Sequence, residues 1–153
     1  MTEHLAFRAA QPSDLAAIIA LHEADEVGGH GDAWTEESRP AYQLALDALL
    51  NDPREYVIVA EKDGVLVGSM IATMLVELSG RACPHVLFRS IQIDERYRSL
   101  GFGAAMMAHA EEEAKRRGAT VAELTSSRKR TDAHRFYDRL GYVQSHLGFK
   151  KKL

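Results

Sequence analysis

The chain has 153 residues, 46% hydrophobic and 27% charged, with a formal net charge of −3. That suits one globular domain over residues 1–153 and excludes a disordered, fibrous or two-domain chain. The single cysteine, Cys83, excludes an internal disulfide framework and a cysteine-based zinc site, and it fits a reducing cytoplasm.

Met1 to Ala10 lacks a basic-then-apolar leader, and no apolar run approaches the roughly 18 residues of a membrane helix, so a soluble cytoplasmic protein is expected. Leu5 to Ala9 reads as a first strand. Pro12-Ser13-Asp14 opens a helix, and Leu15, Ile18, Ile19 and His22 fall on one face of it. The periodicity then collapses into an acidic, Gly-rich loop over 23–39. A second helix is predicted over Pro40–Leu50, stopped by Asn51-Asp52-Pro53.

Tyr56–Ala60 and Val65–Leu75 form a hairpin about Lys62-Asp63-Gly64. Ser79-Gly80 turns the chain into a further strand, His85–Ile93. A long helix follows from about Gly101 to Arg117, with Glu111 and Lys115 as an i,i+4 pair and Gly118 as its stop. Val121–Thr125 is a strand, Asp132–Leu140 a helix with Asp132 as N-cap, and Tyr142–Lys150 a closing strand. The order β, α, α, β, β, β, α, β, α, β means α/β with a mixed sheet. Residues 126–153 carry 8 Lys/Arg against 2 Asp/Glu, a balance of +6 that leaves −9 on residues 1–125. A basic tail is a solvated face, or a surface for an anionic ligand or nucleic acid.

The chemistry sits in Asp94-Glu95-Arg96-Tyr97-Arg98-Ser99-Leu100-Gly101-Phe102-Gly103. A strand ends, a basic loop follows, and two glycines open a helix whose free N–H groups and dipole make an anion site. A Walker loop is absent. A dinucleotide fingerprint fails at Met106, its third glycine position, although Glu123 stands where a ribose-binding acid would. What remains is R-x-x-G-x-G, met by Arg98, Gly101 and Gly103. About 35 residues on, Ala133-His134-Arg135-Phe136-Tyr137 to Gly141-Tyr142 matches A-x-x-F-Y-x-x-x-G-[FY].

With these two motifs the chain resembles the GCN5-related N-acetyltransferase (GNAT) superfamily. The last third is most similar to aminoalkylphosphonate N-acetyltransferases, through Ala110–Ala114, Glu123-Leu124, Lys129-Arg130, Asp132–Tyr137 and Gln144-Ser145-His146. The resemblance implies a mixed, mostly antiparallel sheet with a splayed parallel strand pair, flanked by helices. It also implies acetyl-CoA as donor, a small primary amine as acceptor, attack through a tetrahedral intermediate, and a homodimer. Acetyl-CoA would lie along the backbone of Ile91, Gln92 and Ile93. Its pyrophosphate would rest on Arg98, Ser99, Leu100, Gly101, Phe102, Gly103 and Ala104, with Arg130, His134 and Tyr137 as further contacts. No metal site is assigned, though His22, His30 and Asp32 have metal-binding side chains. Tyr137 matches the tyrosine that protonates the departing thiolate, a fitting role for a phenol of pKa about 10.

The general base stays open. An amine of pKa about 10 is only ~0.1% neutral at pH 7, a cost of roughly 4 kcal/mol. Relatives often place a glutamate on the fourth strand where this chain has Ser90. Candidates are a water relay at Ser90, the loop groups Asp25, Glu26 and His30, and His85 at the other end of that strand. Arg89, Arg128, Lys129 and Arg130 are placed to clamp an anionic acceptor such as an aminophosphonate. Two rival classes are an acyl-CoA-binding regulatory domain without catalysis, and an acetyltransferase acting on a protein or RNA.

Overall fold

The computed structural model describes residues 4–27 and 30–153, so Gly28 and Gly29 of the acidic loop lie outside the described residues. Strand β1 (Leu5–Ala9) leads through a 3-10 turn (Pro12–Asp14) into α1 (Leu15–Glu23), and α2 (Arg39–Asn51) follows the loop. Strands β2 (Glu55–Lys62) and β3 (Val65–Leu75), a one-turn segment α3 (Ser79–Ala82) and β4 (His85–Ile93) come next. The chain continues with α4 (Phe102–Arg116), β5 (Val121–Leu124) and α5 (Thr131–Arg139).

The five strands run β1-β2-β3-β4-β5 across one sheet. The first three pairings are antiparallel and β4–β5 is parallel, as the mixed sheet requires. Side chains alternate across a strand, so β2 divides its residues between two cores. Val57 and Val59 face Leu15, Ile18 and Ile19 of α1 and Leu46 of α2. Ile58 and Ala60 face the other layer, where Met106, Met107, Ala110 and Ala114 of α4 pack on the sheet. Burial on both faces explains the continuous apolar run Tyr56–Ala60. Met106 and Met107 are fully buried, each contributing about 2 kcal/mol of apolar transfer.

Outside the core, Arg8 on β1 grips Asp14 with two bonds of 2.7 and 2.8 Å and reaches Glu61 at 2.6 Å. Asp14 also accepts from the Gln11 backbone N–H at 2.7 Å, so one carboxylate fixes the entry to α1. Gly118 ends α4 at φ 96°, a left-handed residue after the helix. Among the described residues no helix is long and apolar enough to cross a membrane.

Three expectations need correction. The closing strand over Tyr142–Lys150 does not form: the chain after α5 has no helix or strand, and Val143, Leu147 and Phe149 are 82%, 70% and 89% exposed. Their spacing marks a face, but a strand also needs a partner, and among the described residues this tail pairs with no strand, although the outer edge of β5 is free. Glu111 does not pair with Lys115; it accepts from the Tyr142 hydroxyl at 2.8 Å, while Lys115 turns to Glu112 at 2.6 Å. Asp132 sits inside the first turn of α5, bonded to Arg135, and Arg130 occupies the N-cap position.

Candidate active site

Beside β3, strand β4 carries an extra residue. Ile71 pairs with Arg89 and Ser69 with Gln92, so Ser90 and Ile91 stand opposite Met70 alone. Ser90 takes up the surplus at φ 52°, a left-handed conformation that costs a side-chain-bearing residue about 1 kcal/mol. On its other side β4 pairs with β5 only as far as Phe88–Leu124, although β4 continues to Ile93. β5 itself ends at Leu124, so from Arg89 to Ile93 that edge of β4 has no strand beside it among the described residues, and this is the gap, level with the bulge. Just past β5, Ser126 has a buried hydroxyl with no protein partner. An open strand edge and an orphaned hydroxyl suit an extended, amide-containing ligand such as the pantetheine arm of acetyl-CoA.

The start of α4 is an uncapped helix N-terminus, the kind of place that can hold a phosphate. Gly101 is its N-cap at φ 84°, no side chain caps the helix, and no acid occupies its first turn. The first intrahelical bond is donated by Ala105 to Gly101 O, so the N–H groups of Phe102, Gly103 and Ala104 are left for a ligand. Ser99 precedes them at φ 62°, and Leu100 projects into solvent. The Phe102 side chain is core, stacked on Tyr97 at 5.6 Å, so only its backbone can serve an anion. Gly103 sits close against α5: a Cβ there would come 3.2 Å from Phe136 Cζ, and the ring would have to give by a few tenths of an ångström. Arg98 lies alongside, its Nε donating to Ile93 O at 3.1 Å, and this ties the loop to the end of β4.

Helix α5 brings Tyr137 to the same core that Ile91, Ile93, Leu124 and Phe136 pack against. Burial pushes the Tyr137 phenol above its ordinary pKa, with nearby Arg130 opposing the shift. It is therefore a protonated phenol at neutral pH, able to give a proton. His134 is turned away, donating from Nε2 to Ser127 O at 2.8 Å. Arg130 bonds the buried Asp25, which also accepts from Gln92 Nε2 at 2.9 Å. These two expected ligand contacts are thus engaged within the protein through their side chains.

The proposed proton acceptors are scattered. His85 lies 3.2 Å from Glu123 at the start of β4, five residues and roughly 16 Å along the strand from Ser90. Glu26 and His30 are exposed in the loop, and Asp25 is engaged as described. Arg89 donates to Glu55 and Thr73, so the four cations do not form an open clamp; Arg128 and Lys129 remain exposed. Asp32 accepts from Tyr42 at 2.7 Å, and among the described residues no group of three or more His, Cys, Asp or Glu converges as a metal site would.

On the opposite face, between α1, α2 and the middle of β3 and β4, lies a cavity of about 150 Å³. Its wall includes His22, Tyr42, Ser69, Ile71 and Ser90. Burial lowers the His22 pKa, against the pull of Asp32 and Asp25. The Ser69 hydroxyl is buried without a partner. His22 had a signal in the sequence, a histidine on the apolar stripe of α1, and so did Ser69, a hydroxyl inside an apolar strand. Ser126 had none.

The acetyltransferase (GNAT) family model matches residues 15–142. The chain is 35% identical over 113 residues to the aminoalkylphosphonate N-acetyltransferase of Salmonella typhimurium, covering 74% of this chain and 73% of that one. Among solved structures, a transcriptional regulator from Bacillus halodurans superposes with a TM-score of 0.93 at 27% identity, covering 98% and 100% of the two chains. An aminoglycoside N-acetyltransferase in complex with CoA superposes with a TM-score of 0.81 at 16% identity over 99% and 97%, a likeness of fold.

Proposed function

The chain belongs to the acetyltransferase (GNAT) family and is an N-acetyltransferase, and we propose that it moves the acetyl group of acetyl-CoA to the primary amine of a small molecule. The observation that carries this reading is the coincidence of three features: the β4–β5 opening at Phe88–Leu124, the uncapped start of α4, and Tyr137 against the same core. Acetyl-CoA supplies the acetyl group as an activated thioester. Gly101, Phe102, Gly103 and Ala104 bind the pyrophosphate through backbone N–H groups. The β4 backbone at Ile91–Ile93 holds the pantetheine arm and offers an N–H to the developing oxyanion, a contribution of up to ~3–4 kcal/mol. Tyr137 gives its proton to the departing thiolate.

The Salmonella relative makes aminoalkylphosphonates the first acceptors to try, with exposed Arg128 and Lys129 as the cations left for a phosphonate. The enzyme works as a cytoplasmic homodimer; the exposed Val143, Leu147 and Phe149 and the unpaired outer edge of β5 favour a second copy. The relevant test is free-thiol release from acetyl-CoA against aminophosphonates, amino acids, polyamines and aminoglycosides, with and without divalent metal. A second reading, an acyl-CoA-responsive regulatory domain, is favoured by the name of the Bacillus halodurans structure and by the hydroxyl at Ser90. It predicts acetyl-CoA binding without turnover.

A further inference from the structure

We propose that His22 is the general base of the transfer, taking the proton of an amine whose body occupies the cavity between α1, α2 and the bulged middle of β3 and β4. The inference rests on the N-acetyltransferase reading.

The cavity wall reaches the bulge itself, through Ser90 on β4 and Met70 and Ile71 on β3. An acceptor seated there therefore abuts the stretch of β4 that borders the cofactor gap. No carboxylate, lysine or arginine occurs among the described residues of that wall. Ser90 and Ser69 contribute hydroxyls, and Tyr42 a phenol that donates to Asp32 at 2.7 Å. The only group in the wall able to hold a proton reversibly near neutral pH is the His22 imidazole. The Ser69 hydroxyl, 1% exposed and without a protein partner, is a ready hydrogen-bond partner for a polar group on the acceptor.

The groups facing His22 set its state. Burial disfavours the imidazolium and His30 adds to this, while Asp32 and Asp25 act in the opposite sense with a smaller effect. Asp25 is paired with Arg130 and accepts from Gln92, and Asp32 accepts from the Tyr42 hydroxyl. His22 is consequently a neutral imidazole at pH 7, free to accept.

An acceptor that enters as an ammonium first gives its extra proton to His22, which releases it to solvent. The lone pair of the neutral amine then forms the N–C bond to the acetyl carbon, and the C–S bond breaks. The nitrogen becomes strongly acidic as that bond forms, and its proton passes to a His22 ring nitrogen. The thiolate takes the Tyr137 proton. Loss of the extra proton from His22 to solvent and reprotonation of Tyr137 from solvent restore the enzyme.

The test is kcat/KM against pH for wild type and His22→Gln with 1-aminoethylphosphonate, phenylethylamine and cadaverine as acceptor probes. Acetyl-CoA affinity is measured alongside as a check on folding. With His22 as base, wild type rises through an acid limb below the ordinary histidine range and then levels, because amines entering protonated are deprotonated on the enzyme. His22→Gln loses the plateau, rises continuously toward the amine pKa, and falls ~10²- to 10³-fold in kcat near neutrality with acetyl-CoA affinity kept. Wild-type NMR gives an independent readout: the His22 ring titrates at the pH of the kinetic acid limb. An active wild type whose profile is unchanged in His22→Gln, or whose His22 ring titrates elsewhere, overturns the assignment. A wild type that binds acetyl-CoA and acetylates none of the three probes contradicts the small-amine reading and this inference with it.

Discussion

Gln92 Nε2 on β4 donates to Asp25 Oδ2 at 2.9 Å, across 67 residues of sequence. Asp25 also holds Arg130 at the head of α5, so one buried carboxylate ties the loop just past α1 to β4 and to the N-cap of α5. The Gln92 and Arg130 side chains are thus engaged within the protein, which leaves the Gln92 backbone for the cofactor contact expected of it.

Asp25→Ala should therefore lower stability by about 2–4 kcal/mol, because it leaves a guanidinium and a buried amide without this partner. Urea denaturation at pH 7 measures this. A midpoint within experimental error of wild type means that the junction contributes nothing.

Tyr137→Phe removes only the phenolic proton and keeps the ring contacts with Phe136 and Tyr142. Steady-state turnover should fall ~10²-fold while acetyl-CoA affinity holds. Unchanged turnover would remove Tyr137 from the acid role.

Gly101→Ala isolates the conformational demand at the start of α4. A Cβ there meets nothing within 4 Å, so the cost is the left-handed backbone alone, about 1–2 kcal/mol. Gly101 also belongs to the loop proposed to bind the pyrophosphate, so the added methyl tests that assignment. Calorimetry should show acetyl-CoA binding weakened by about tenfold or more; equal binding would place the pyrophosphate elsewhere.

Arg8 holds the Asp14 carboxyl below its ordinary pKa, chiefly by their direct hydrogen bonds, with help from the Gln11 N–H and against the effect of burial. A carboxyl depressed in the folded state stabilises the fold above its unfolded pKa of about 4, and that contribution fades as pH falls through the lower folded value. Asp14→Asn should cost about 2 kcal/mol at pH 7 and progressively less below pH 4. Urea midpoints at several pH values test the convergence. A constant gap between the two proteins would assign the effect to packing.

Much of this was legible before any coordinates. Alternating and helical patterns located every strand of the sheet and its four main helices, and two glycine-bearing motifs pointed to the uncapped start of α4 and to Tyr137, on which the proposed function rests. The misses have a common cause. Periodicity reports which residues share a face, and it is silent about what that face meets. Val143, Leu147 and Phe149 have a strand's composition but pair with no strand, while Gln92 and Arg130 meet a loop aspartate that no local pattern links to them. His22 was visible only as one more position on an apolar stripe. Its meaning depends on Ser69 and Ser90, which the sheet brings to the same cavity.

The central claim is tested most directly by incubating the purified protein with acetyl-CoA carrying an isotopically labelled acetyl group and the amine panel, then finding the label by mass spectrometry. The account predicts label on the nitrogen of a small amine, with an equal amount of free CoA thiol released. Acetyl-CoA bound and returned intact, with no labelled amine at any pH, would contradict it and leave a cofactor-sensing domain in its place.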